Sequence, residues 1–163
     1  MFVSRGRVSP LHLVRNMPSK IKAMLVMAQE RRLPLLDLLE SCGIEVVPAC
    51  DCNEARRMLE TQPPVQTVVT DRALPDGDWR AVLEIVAQGR AYVQVVVCSR
   101  LRDHTLLIDV LEQGAYDVLV EPYQCEEVRR VLEAAAARGC VLSRSLARMT
   151  SYKTKAARTA SAA

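Results

Sequence analysis

Aromatic side chains are scarce in this chain, with one Trp, one Phe and four Tyr among 163 residues. Leu, Val, Ile and Ala must therefore build whatever core it has. No run approaches the roughly 18 apolar residues of a membrane-crossing helix. The N-terminus lacks the continuous apolar segment of a secretory signal. No Cys-x-x-Cys pair occurs, and no internal repeat. No Gly-rich phosphate loop follows the first apolar run, where Gln29-Glu30-Arg31-Arg32 stands instead. Acids are absent from both ends. Residues 1–20 hold four bases and no acid, and residues 138–163 hold six bases and no acid. Of the 22 bases, the remaining 12 face all 19 acids within 21–137, so a segment of net −7 lies between two basic ends.

What is present suits one domain with a real core, since half the residues are hydrophobic. Six cysteines occur, Cys42, Cys50, Cys52, Cys98, Cys125 and Cys140. Without a secretory signal they are expected to be reduced thiols in a cytoplasmic protein. Cys50 and Cys52 flank Asp51 with no metal-ligand spacing and no nearby His, so small buried side chains are the better reading than a metal site.

Apolar runs and amphipathic stretches alternate along the chain. Residues 1–20 show no periodicity, and Met17 is as good a start as Met1. Lys22–Met27 reads as a buried strand. Pro34 suits the first turn of a helix carrying Leu35, Leu36, Leu38 and Leu39, with Gly43 ending it. Ile44–Val47 is a second strand, and Asn53 a candidate cap for a helix with Ala55, Met58 and Leu59. Pro63 and Pro64 precede a strand at Val65–Thr70. A helix over Trp79–Ala87, a strand over Tyr92–Cys98, a helix capped by Asp103 and stopped at Gly114, a strand at Asp117–Val120 and a last helix through Val128, Val131, Leu132 and Ala135 complete the order. Five continuous apolar strands between amphipathic helices predict an α/β fold: a five-stranded, doubly wound parallel sheet covered on both faces. The Ser/Thr/Ala/Lys/Arg-rich tail over 138–163 reads as disordered, with Leu142–Met149 as a possible extension of the last helix.

One stretch organises this pattern, Val68-Val69-Thr70-Asp71-Arg72-Ala73-Leu74-Pro75-Asp76-Gly77-Asp78-Trp79. A buried strand ends on a carboxylate, and a turn rich in Pro, Gly and Asp leads to a helix. Ligand chemistry in parallel sheets gathers at the carboxyl ends of strands. Asp71 stands at such an end, with Ala28, Gln29 and Glu30 after the first strand, Ser99 after the fourth and Glu121-Pro122 after the fifth. Asp71 is expected to be partly exposed there, with Ser99 and Glu121 on neighbouring loop ends.

These strand ends, with the Asp-x-x-Leu-Pro turn at 71–75 and Gly114-Ala115-x-Asp117, resemble the receiver domain of bacterial two-component response regulators, over about residues 21–137. The resemblance implies a flavodoxin-like three-layer sandwich. It also implies Asp71 as phosphoryl acceptor, Ser99 as a phosphate-binding hydroxyl, and Mg²⁺ held by Asp71 with an acidic pair after the first strand. The sequence departs from that pattern. The acidic pair falls on Ala28 and Gln29, or on Gln29 and Glu30 with a one-residue slip, so Mg²⁺ at Asp71 is expected to be weak or absent. The Lys position holds Glu121, whose charge is expected to repel Asp71 and a phosphoryl group; on this view Glu121→Lys should stabilise the fold. The switch aromatic of the fifth strand falls on Val118.

The implied function is a single-domain receiver module in phosphorelay signalling, not an enzyme, acting by binding a protein partner such as a histidine kinase or a downstream effector. The alternatives are a flavodoxin-like cofactor-binding enzyme, a phosphorylation-independent adaptor, or nucleic-acid contact through the basic tails. Nucleic acid is disfavoured because aromatic interleaving is missing. Neither a membrane nor a resident cofactor is expected. The Arg pairs 31–32, 56–57 and 129–130 read as solvated helix faces, Ser99 equally as a helix cap, and Trp79 as packing over the sheet.

Overall fold

A computed structural model describes residues 20–160 other than Pro63 and Ala91, and side chains as far as Thr154. The expectations for residues 1–19 and for Pro63 fall outside the described residues. Five strands form one parallel sheet: β1 (Lys22–Val26), β2 (Glu45–Ala49), β3 (Thr67–Asp71), β4 (Gln94–Ser99) and β5 (Asp117–Val120). Their spatial order is β2-β1-β3-β4-β5. The helices are α1 (Gln29–Ser41), α2 (Cys52–Thr61), α3 (Trp79–Arg90), α4 (His104–Glu112) and α5 (Cys125–Ala160). A two-residue-by-two-residue hairpin, Ala73–Leu74 against Gly77–Asp78, sits in the turn after β3. The doubly wound parallel sheet expected from the apolar runs is what forms.

The pleat divides each inner strand between two cores. Met24 and Val26 of β1, Val68 of β3 and Val95 and Val97 of β4 pack under α2, α3 and α4, with Trp79, Val82 and Val110. Ala23, Leu25, Val69, Val96, Cys98 and Leu119 face the other way, onto Leu35 and Leu39 of α1 and Val128, Leu132 and Ala135 of α5. Because both faces are covered, β3 and β4 are buried along their whole length. β2 is an edge strand, which is why it tolerates Pro48 and runs to Ala49 instead of stopping at Val47. Gly43 and Gly114 follow α1 and α4 with φ of 80° and 95°, the left-handed backbone of a helix terminus.

Three local expectations change. Helix α1 begins at Gln29, so Pro34 lies inside it. Asp51, not Asn53, caps α2, its carboxylate accepting from the Glu54 N–H at 2.7 Å. Glu54 reaches back to the Cys50 N–H at 2.6 Å, much as in a capping box, and its pKa is lowered mainly by that bond. Beyond Arg138, α5 continues as one 36-residue helix in place of the expected irregular tail. Residues 140–160 contain neither Gly nor Pro and are rich in Ala, Leu, Arg and Lys, which favour helix. No helix among the described residues is long and apolar enough to cross a membrane.

The six-thiol expectation also fails at one pair. Cys42, capping α1, and Cys125, opening α5, are bonded as a disulfide with Cα atoms 5.8 Å apart. Their separation of 83 residues hides this from the sequence. Cys52 and Cys98 are buried free thiols, Cys50 is half-buried and Cys140 exposed.

Gly139 marks where α5 presses on the sheet. A Cβ there would lie 2.6 Å from the Tyr92 carbonyl oxygen. Ala ordinarily stabilises a helix relative to Gly by about 1 kcal/mol, but backbone cannot yield as a side chain does. We therefore expect Gly139→Ala to destabilise the fold by about 1–3 kcal/mol, read from urea unfolding. Unchanged or increased stability would show that α5 does not approach Tyr92 so closely.

Candidate functional site

The carboxyl edge of the sheet gathers the ends of β1, β3, β4 and β5. Asp71 is the last residue of β3 and is 2% exposed. This corrects the expectation of partial exposure. Arg31, on the first turn of α1, covers it, with Nη1 donating to Asp71 Oδ2. The second carboxylate oxygen, Oδ1, accepts from the Arg72 N–H at 2.8 Å. Both oxygens of the acid are thus engaged by donors of this chain. The other arm of the same guanidinium, Nη2, lies 3.6 Å from Glu121 Oε1. One cation bridges two carboxylates that the sequence alone set against each other.

The bridge overturns the reading of Glu121. Its carboxylate sits beside a cation and is attracted, so the expected repulsion with Asp71 does not govern the site. It also overturns the reading of Arg31 as a solvated helix face. Arg31 is the functional residue that sequence reasoning missed, because it reaches a partner 40 positions away and no local spacing announces that. The shift of the α1 start from Pro34 to Gln29 is what brings it to the edge.

Ser99, at the end of β4, is buried. Its hydroxyl donates to the Leu101 carbonyl at 2.9 Å and accepts from the Leu101 N–H at 3.3 Å, fastening the loop that follows. Asp103 then caps α4, accepting from the N–H groups of Thr105 and Leu106. Ala28 precedes α1 without a side-chain cap, while Gln29 and Glu30 are exposed on its first turn. Val118 is half-buried against the core. Tyr123 packs with the α1–α5 core, and its hydroxyl lies 3.5 Å from Glu121 Oε1. Burial, with Cys98 beside it, pushes the Tyr123 hydroxyl up so that it stays neutral. Burial likewise pushes the Cys98 thiol up to about 12, so it is not a nucleophile at neutral pH.

The turn after Asp71 is braced from α2. Asp76 accepts from the N–H of Cys52 at 2.8 Å and of Asn53 at 3.0 Å. Gly77 fits because a Cβ would meet Cys52 Sγ at 3.2 Å. Trp79 is fully buried, as packing over the sheet requires, and the Arg80 guanidinium stands 4.6 Å over its ring. Arg80 also pairs with Asp109 of α4.

The chain matches the family model described as the response regulator receiver domain over residues 29–133. This chain belongs to that family. The chemotaxis protein CheY of Bacillus subtilis is 30% identical over 105 residues, covering 63% of this chain and 83% of that protein. CheY of Listeria monocytogenes is 24% identical over 107 residues, covering 64% and 88%. Among solved structures, a response regulator receiver domain protein from Clostridium thermocellum superposes with a TM-score of 0.66 at 22% identity, covering 75% of this chain and 98% of its own. The receiver domain of a Pseudomonas aeruginosa sensor histidine kinase, with a magnesium ion coordinated in its active-site cleft, gives 0.63 at 20%, covering 73% and 99%.

The receiver residues of this chain do not fit Mg²⁺. The ion demands an octahedral oxygen shell near 2.1 Å with carboxylates among the donors. Here Ala28 has no donor, and Asp71 turns both oxygens to N–H groups. No group of three or more His, Cys, Asp or Glu side chains is assembled for a metal among the described residues.

Two outcomes follow. Glu121→Lys sets an ammonium beside the Arg31 guanidinium, so it should lower stability by no more than about 1 kcal/mol at this half-exposed position, read as a fall in thermal midpoint. A stabilised variant would restore the repulsion reading. Partial desolvation of the exposed Asp76 carboxylate works to raise its pKa, but the Cys52 and Asn53 N–H groups hold it below its ordinary 3.8. A lowered folded-state pKa gives stability that is full above the unfolded value and lost as pH falls through the folded one. Asp76→Ala should therefore melt below the parent at pH 7, by about 1 kcal/mol for a lost cap, and the gap should close as the pH drops below 3.8. A gap independent of pH would show that the charge of Asp76 plays no part.

Proposed function

We propose that this receiver works in two-component signal transduction chiefly as a protein-binding module, with Asp71 retained at the acceptor position but not poised for efficient phosphoryl transfer. In this reading it is a binding partner and not an enzyme. The observation that carries it is the engagement of both oxygens of the buried Asp71, one by the part-buried Arg31 guanidinium and the other by the Arg72 N–H. Phosphoryl transfer is mostly positioning and charge neutralisation. An acceptor oxygen bonded to a guanidinium is turned away from attack, and Glu121 adds negative charge where a dianion would have to settle.

The surface supports binding. A groove of about 340 Å³ between α4 and the β5–α5 connection is lined by Leu107, Val118 and Val120 and by the charged Asp103, Asp117 and Glu127. Leu101, Ile108 and Leu111 stand exposed beside it. Val118, which carries no ring, lines this groove. A histidine kinase or downstream effector with an apolar contact patch is the partner class we infer for this face.

The test is incubation with Mg²⁺ and acetyl phosphate followed by intact mass. The parent should gain no phosphoryl mass. A variant carrying Ala28→Asp, Gln29→Asp, Arg31→Ala and Glu121→Lys should gain it. Equal uptake by the two proteins would defeat the proposal.

A further inference from the structure

We propose that Arg31 is the resident cation of this site, its guanidinium standing in for the divalent ion, so that the receiver holds its folded and binding-competent state without metal. The inference rests on the receiver reading above and deepens it by naming what neutralises the acid.

Three observations converge. Asp71 is a buried carboxylate at the meeting point of β1, β3 and β4, and a buried charge requires a counter-charge. The counter-charge present is Arg31, whose planar fork offers separate N–H donors to two acceptors at once. It uses one arm on Asp71 and the other toward Glu121, joining the end of β3 to the end of β5. The donor set for a metal is dismantled at the same edge, with Ala28 preceding α1 and Gln29 exposed. A divalent ion entering here would have to displace a guanidinium already bonded to the acid, and would meet Ala28 and Gln29 where the receiver pattern has its acidic pair.

Glu121 acquires a role in this scheme. A Lys at that position would compete with Arg31 for Asp71 and repel it. A Glu instead draws the free arm of the guanidinium outward and fixes the plane of the fork over Asp71. Glu121 is thus a positioning residue for the internal cation.

The test uses the full chain. Calorimetric titration of the parent with Mg²⁺ or Mn²⁺ should give no saturable heat through the low-millimolar range. Chelation should leave its thermal midpoint unchanged. Arg31→Ala should melt well below the parent, and millimolar guanidinium chloride should raise its midpoint toward the parent's by refilling the vacated place. The same salt should not raise the midpoint of the parent or of an Arg31→Ala, Asp71→Asn double variant. If Arg31→Ala fails to fold, Arg31→Lys replaces it, and it should keep most of the stability while giving Asp71 a single donor. Saturable Mg²⁺ binding by the parent would overturn the proposal, and so would an Arg31→Ala protein that melts like the parent or is not rescued by guanidinium. These results separate the two readings. Phosphoryl uptake by the parent without metal would defeat the protein-binding reading and leave Arg31 as resident cation. Mg²⁺ binding without phosphoryl uptake would do the reverse.

Discussion

A carboxylate that is 2% exposed at the edge of a parallel sheet has to be paired, and the pairing of Asp71 with Arg31 is the constraint around which the functional edge is arranged. Removing one member of a fully buried pair typically costs about 3–5 kcal/mol, because the survivor is left as an uncompensated charge, and the 28% exposure of Arg31 places this pair toward the lower end. That magnitude exceeds any surface ion pair in the molecule. Arg72 with Asp103, for example, stands 3.6 Å apart with both side chains well exposed, and such a pair contributes about 1 kcal/mol at most. The helix α1 is therefore held at its start by charge and along its length by Leu35 and Leu39, and the two anchors set its angle to the sheet together.

The sheet was legible because its physics is local. Central strands buried on both faces must be nearly all apolar, and Val68–Thr70 and Val95–Cys98 are written that way. Trp79 followed from the same logic. The edge strand was read only to Val47, but it runs on through Pro48, because an edge strand has an unpaired side on which a missing N–H costs nothing. The cap of α2 was misplaced by two residues because Asp51, Asn53 and the distant Asp76 all offer a suitable oxygen, and only the fold decides which of them meets the free N–H groups.

The acid of the site was legible and its partner was not. Asp71 ends an apolar run, and that position can be read from neighbours. Arg31 is an ordinary helix residue by every local measure, and its meaning depends on where α1 begins. Pro34 suggested a later start, and the Arg pair 31–32 read only as a solvated helix face. The same shortfall explains Glu121. Charge counted along the sequence gave two acids meeting without a cation, whereas charge placed in space gives a cation between them. The disulfide of Cys42 with Cys125 belongs to this class, since both ends of that contact are set by helix placement.

The departures from the receiver pattern then form one consistent set. With Val118 on β5 there is no ring to move between the acceptor and the outer face. The connection that remains runs from Asp71 through Arg31 to Glu121, and from Glu121 through Pro122 to Tyr123. Tyr123 is neutral, packed against the core of α1 and α5, and seated beside Cys98 at the end of β4. Every link in that chain is an ionic or packing contact made by the protein alone. Asp71, Arg31 and Glu121 together carry one negative charge in excess, with both Asp71 oxygens engaged by N–H groups of the chain. The end of β3 is therefore tied to the end of β5 through Arg31, by contacts internal to the fold.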